Sequence, residues 1–112
     1  MFGNLTQIAS LLKNAGQIKE NMKLANERLN AARFVGEAAG GQVRATVDGK
    51  GEPISIKFDP ALIESRDVEL IEDLTVAALR DAISRSREGA LKEMQAAAGG
   101  VDLSGVMSMF GK

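Results

Sequence analysis

The chain has 112 residues, a formal net charge of −1, no cysteine and no histidine. This is the size of one domain, and with four Phe but no Trp or Tyr its modest core must be aliphatic and Met-based. Disulfides and thiolate metal sites are excluded. The usual general base near neutral pH and the commonest metal ligand are also missing, which removes the working parts of most hydrolytic and metal-dependent mechanisms. There is no run of about 18 apolar residues, and Met1 to Leu12 lacks the basic start and small-residue cleavage site of a signal peptide, so a soluble intracellular protein is expected. The absence of cysteine suits a reducing cytosol.

Charge is unevenly spread. Residues 1–33 hold five basic and two acidic side chains, residues 34–58 three of each, and residues 59–112 six basic and ten acidic. The near-neutral average therefore conceals a basic first helix. That helix is expected from about Leu5 to Arg33. Its apolar seam runs through Leu5, Ile8, Leu12, Ala15, Ile18, Met22, Ala25, Leu29 and Ala32, in steps of three and four. Two successive steps of three around Gly16 form a stammer, which glycine tolerates. Lys13, Lys19, Lys23, Arg28 and Arg33 stand off the seam, and Glu20 precedes Lys23 at a spacing that allows a weak exposed pair.

A short first strand is predicted over Phe34 to Ala38, turned by Gly40-Gly41 into a second, about Gln42 to Asp48. A third covers about Pro53 to Phe58, with Pro53 suited to a strand start or edge. Val43, Ala45 and Val47, and Ile54, Ile56 and Phe58, alternate with Arg44, Thr46, Ser55 and Lys57. Each run should bury one face and leave the other in water. Asp48-Gly49-Lys50-Gly51 supplies the tight turn between them.

Asp59 and Pro60 open a helical turn as N-cap and first helical residue, and Ser65 can cap again before a long helix from about Asp67 to Ala97. Ile71, Leu74, Thr75, Ala78, Leu79, Ala82 and Ile83 give this helix a wide apolar face suited to a sheet. Asp67, Glu69, Glu72 and Asp73 crowd its start, where the helix dipole favours negative charge. Arg80, Arg85, Arg87 and Lys92 follow later. Residues 1–98 read as a single domain of order α-β-β-β-α, an α+β fold, with 99–112 as a flexible tail rich in Gly, Ser and Met.

A first helix of that span would be roughly 40 Å long, against about 20 Å for the strands, so helical ends should overhang. The overhanging ends carry Lys13, Lys19 and Lys23, and Arg85, Arg87 and Lys92. An uncovered seam and open sheet edges are both answered by a homodimer, which would carry paired basic arms.

The run GEAAGGQVRATVDGKGEPISIKFDPALIE, followed by DVELIEDLTVAALRDAI, resembles the YbaB/EbfC family of bacterial nucleoid-associated proteins. The residues that match its motifs are Gly36-Glu37, Gly41, Val43, Gly49, Phe58-Asp59-Pro60 with Leu62, and Glu69 through Ala78. Met1-Phe2-Gly3 and LLKNAGQIKENMKLANERL are also similar. The resemblance implies the α-β-β-β-α fold, a tweezer-like homodimer, and DNA binding with limited sequence preference in nucleoid organisation or gene regulation. It brings no enzymatic activity and no cofactor. Ala39 stands where the family often has glycine, Phe58 where it often has Ile, and the Gln- and Met-rich character of the first helix is reduced to Met22.

Phosphate contact by Lys13, Lys19, Lys23, Arg85, Arg87 and Lys92 is the functional reading of the basic positions, and an ordinary solvated helix face is the plain one. Arg85 and Arg87, two apart, do not share a helical face. The acidic cluster Glu64, Asp67, Glu69, Glu72 and Asp73 lacks the spacing and glycine of an EF-hand, and favourable charge at a helix start explains it. Gly40 and Gly49 lack Walker or Rossmann patterns, so they read as turn residues. Val101, Leu103, Val106, Met107, Met109 and Phe110 carry too few cations nearby for a membrane-surface helix.

The expectation is a non-enzymatic, dimeric protein of the bacterial cytoplasm and nucleoid, binding double-stranded DNA without cofactor, membrane or small-molecule substrate. The competing expectation is a small acidic adaptor or secretion-type chaperone, favoured by the acidic balance and the Met-bearing seam.

Overall fold

Alternating small and branched residues between Phe34 and Phe58 form a three-stranded antiparallel sheet, in the order β1 (Phe34–Ala38), β2 (Val43–Val47), β3 (Pro53–Phe58). In this computed structural model residues 2–98 are described, with side chains described at 9, 12 and 14–98. Helix α1 (Phe2–Ala31) precedes the sheet, and α2 (Pro60–Glu64) and α3 (Val68–Ala97) follow it. The chain divides into two compact units, Arg28–Leu91 and Met1–Glu27 with Lys92–Lys112. The expected flexible tail, 99–112, lies outside the described residues.

Within Arg28–Leu91 the core lies between the sheet and α3. Val43, Ala45 and Val47 alternate inward from β2 and are fully buried, with Ala38, Leu62, Ala78 and Ala82 around them. Burial of each Val contributes about 1.5–3 kcal/mol. The small residues bring backbone to backbone: a Cβ on Gly36 would stand 2.2 Å from the Ala82 nitrogen and 2.3 Å from the Ala78 carbonyl oxygen. Phe34, Ile71, Leu74, Leu79 and Ile83 close the periphery of this contact.

The expected burial of Ile54, Ile56 and Phe58 does not occur; they are 50%, 37% and 38% exposed. Pairing puts Phe58 beside Val43 and Ile56 beside Ala45, on the face that carries the core. A helix about 10 Å wide covers only about two strands spaced 4.8 Å apart, and here it covers β1 and β2. The register shifts between Thr46 and Val47, where Pro53 pairs with Val47 and Ile54 is the extra residue.

Strand β1 ends in a left-handed turn over Ala39–Gly41, which takes in Ala39 as well as the glycine pair. Ala39 adopts φ 52°, a left-handed conformation costly for a residue with a Cβ, which accounts physically for a glycine preference at this position. The β2–β3 turn is fastened on three sides. Asp48 Oδ1 accepts from the amides of Lys50 (2.8 Å) and Glu52 (3.0 Å), the Gly49 amide donates to Leu29 O on α1 (2.8 Å), and the buried Ser86 hydroxyl of α3 donates to Asp48 O (2.8 Å). Gly49 is required by that approach, since a Cβ there would lie 2.6 Å from Leu29 O.

Helix boundaries follow their caps. Helix α1 stops at Ala31 rather than Arg33, and the Arg33 guanidinium folds back over its end to donate to the carbonyls of Asn30 (3.0 Å) and Ala32 (2.8 Å). Asp59 caps α2 through Ala61 N at 3.0 Å, as its place before Pro60 predicts. Asp67, not Ser65, caps α3, accepting from Leu70 N at 3.1 Å; Ser65 Oγ instead accepts from Asp67 N.

The close approach at Gly36 and the Asp48 turn can each be tested. Gly36→Ala should lower unfolding free energy by about 3 kcal/mol, the upper end of an overpacking cost, read as a lower urea midpoint at unchanged slope. The Glu52 amide, with that of Lys50 and the charges of Arg33 and Lys50, holds the Asp48 carboxyl below its ordinary value of 3.8 against the opposing effect of burial. A depressed folded pKa stabilises fully above the unfolded value, and that stabilisation is lost as pH falls through the folded value. Asp48→Asn should therefore unfold more easily than wild type at pH 7, with the gap closing below about pH 4.

Candidate nucleic-acid interface

The basic positions fall in both units. In the unit Met1–Glu27 with Lys92–Lys112, Ala25, Ala97 and Ala98 are buried and Ile18 and Met22 half-buried, so the middle of the α1 seam is covered. Earlier on that seam, Leu12 is 72% exposed. Gln17 Nε2 donates to Asn21 Oδ1 (2.9 Å), and Asn21 Nδ2 donates to Ala97 O (3.4 Å), which ties α1 to the end of α3.

Lys19 and Lys23 lie four residues apart and share one exposed face of α1. Lys92 is exposed on α3. None of the three ammonium groups is within ion-pairing distance of a carboxylate among the described residues, and the Glu20–Lys23 pair allowed by the spacing is not formed. These are solvated point charges on flexible stems, the form of cation that meets a phosphate without reading a base. The Lys13 side chain lies outside the described residues.

In the unit Arg28–Leu91, the two predicted arginines separate. Arg85 Nε donates to both carboxylate oxygens of Asp81 at 3.3 Å. Asp81 in turn accepts the Glu37 amide at 3.0 Å. That amide, then Arg85, holds the Asp81 carboxyl below its ordinary range, while desolvation works against them. Arg87 is exposed and makes no ion pair among the described residues. Arg80, which was not among the predicted site residues, is also exposed and shares a face of α3 with Arg87, seven residues on. That seven-residue spacing is readable in the sequence.

Glu69, Glu72 and Asp73 are exposed at the start of the same helix, with Val68 and Val76 beside them. No group of three His, Cys, Asp or Glu residues among those described could hold a metal ion. No helix among the described residues is long and apolar enough to cross a membrane. On the sheet face away from α3, Arg44 pairs with Glu37 at 3.2 Å across β1 and β2.

The fold is thus a three-stranded antiparallel meander carried by two 30-residue helices, with exposed lysines on both helices. A solved structure from Helicobacter pylori, the protein HP0035, shares it with a TM-score of 0.61 at 23% identity, over 78% of this chain and 88% of that one. Residues 3–101 match the YbaB/EbfC DNA-binding family, and the chain belongs to that family. Its relatives include nucleoid-associated proteins of Rhodospirillum rubrum (37% identical over 94% of this chain and 98% of that protein) and Mycobacteroides abscessus (36%, over 97% and 96%). Another, from Rhodococcus opacus, is 34% identical over 97% and 96%.

Helix α1 carries Lys19 and Lys23, so its rigidity bears on how they are presented. It runs unbroken through Gly16, where an added Cβ would meet nothing within 4 Å. Gly16→Ala should therefore stabilise the helix by about 0.5–1 kcal/mol, seen as a raised thermal midpoint by circular dichroism.

Proposed function

We propose that this chain is a non-enzymatic, nucleoid-associated DNA-binding protein of the bacterial cytoplasm, acting in nucleoid organisation or gene regulation. It works as a homodimer whose helical arms hold duplex DNA through backbone phosphates. The observation that carries this reading is the coincidence of family membership with Lys19, Lys23 and Lys92, exposed and unpaired among the described residues. Relatives across most of the chain's length are named nucleoid-associated proteins, and the cations offered here suit a uniform polyanion better than a base edge.

Lys13 extends the α1 line by the expectation from sequence, and Arg87 with Arg80 contributes from α3. Arg85 is the weakest member of the set, because its guanidinium is already shared with Asp81. The second copy joins along β3, where Ile56 and Phe58 offer apolar side chains beside an unpaired strand edge. Those same side chains are what an adaptor would use to hold another polypeptide, so the two readings part on the nucleic acid.

A mobility-shift titration of a mixed-sequence duplex across salt concentrations separates them. Log K should fall linearly with log salt, at about −0.9 per phosphate neutralised. Replacing Lys19 and Lys23 together by Glu should weaken binding at least ten-fold on every sequence tried. The same variant should flatten the slope by about 0.9 for each phosphate no longer neutralised, with the sedimenting mass unchanged. Absence of retardation by wild type at low salt would leave the adaptor reading in its place.

A further inference from the structure

The two edges of the sheet differ in what they offer a third party. In an antiparallel ladder, residues alternate between turning both backbone groups toward the neighbouring strand and turning both away. On β1, Glu37 turns away from β2, because its amide donates to Asp81 Oδ2 at 3.0 Å. Its one companion inside this five-residue strand with the same orientation is Val35. On the far side, the Asp59 amide just after β3 donates back to Gln42 O at 2.8 Å. By the same alternation Lys57 faces β2 while Ile56 and Phe58 present their amides and carbonyls outward. No side chain among the described residues bonds those two amides.

From this asymmetry we infer that Asp81 closes the β1 edge against strand addition, leaving β3 as the edge through which copies of this chain join. An incoming strand would need the Glu37 N–H as a donor, and that donor is already taken. Its approaching carbonyl oxygen would also meet the Asp81 carboxylate at close range, oxygen against oxygen. Of the two outward amides on β1, one is thus removed and its surroundings are made negative, a known way of blunting an edge. Strand β1 also ends at once in the left-handed Ala39–Gly41 turn, which leaves no length for a longer ladder.

Arg85 acts through Asp81 as a positioning residue. Its Nε–H spans both carboxylate oxygens from one helical turn further along α3, fixing the rotamer that reaches Glu37. The consequence for assembly is closure. A sheet open on one edge pairs two-fold and stops, whereas a sheet open on both can add copies without limit. The inference rests on the proposed joining of two copies along β3, but its first readout, the Glu37 amide, does not.

The test is Asp81→Ala, which keeps a strong helix former on α3, with Asp81→Asn as the conservative control because its side-chain oxygen can still accept. Amide exchange at Glu37 is followed by NMR, and mass by sedimentation velocity from micromolar to hundreds of micromolar protein. Asp81→Ala should speed Glu37 exchange at least ten-fold over wild type and yield species that grow past the wild-type mass as concentration rises. Asp81→Asn should stay close to wild type in both, and Arg85→Ala should fall between. Glu37 exchange unaltered in Asp81→Ala would overturn the inference, as would faster exchange with no growth in mass. A wild-type chain that sediments as a monomer would sink the β3 dimer instead, and concentration-dependent growth of Asp81→Ala from that monomer would still support the closed edge.

Discussion

The corner at Asp48-Gly49 is the constraint on which the sheet's placement depends. A turn between two strands carries backbone groups that the strands cannot satisfy, and this one is buried rather than exposed to water. Its donors and acceptors are met from three directions, by the Asp48 carboxylate, the Leu29 carbonyl of α1 and the Ser86 hydroxyl of α3. Neither helix can shift along the hairpin without orphaning one of these groups, at a cost of about 1–3 kcal/mol each. The glycine at position 49 is the condition for this, because any side chain would collide with α1.

With the hairpin held there, the close contact of α3 on β1 and β2 decides which apolar residues are inside. Ala78 and Ala82 are small enough for the helix backbone to lie against Gly36, and the helix is then too close to the sheet and too narrow to shelter β3. Ile54, Ile56 and Phe58 are left on the surface as a consequence of tight packing elsewhere. The apolar strip therefore lies along β3, the strand that also ends the sheet on that side.

Charge is organised by the same helices. Acidic residues gather at the start of α3, where they complement the helix dipole and Asp67 caps the first turn. Exposed lysines stand on α1 and late in α3, clear of carboxylates among the described residues. Arg85 shows why composition alone is a poor guide to a binding face. It carries the same charge as Arg87, two residues on, but Asp81 one turn back draws it into an ion pair. For the proposed DNA-binding role, a free cation counts for more than the net charge of −1.

Much of the architecture was legible without coordinates, because it follows from local rules. Strand β1 lies over the predicted Phe34 to Ala38, strand β3 lies where the period of two placed it, Asp59-Pro60 starts a helix, and the family motif from Gly36 to Ala78 marks the same elements. Helix and strand periodicity, capping chemistry and turn residues act over a few positions, so the linear order of side chains determines them. What only the tertiary structure decided is which equivalent residues receive a partner. Ile56 and Ala45 alternate alike and sit side by side, yet one is exposed and the other buried, because a single helix covers two strands of three. Arg85 and Lys92 look alike in sequence, yet only one is bound by a carboxylate, because Asp81 is itself held by a strand amide forty-four residues away. Such differences come from the register of one element on another, and no local pattern encodes that register.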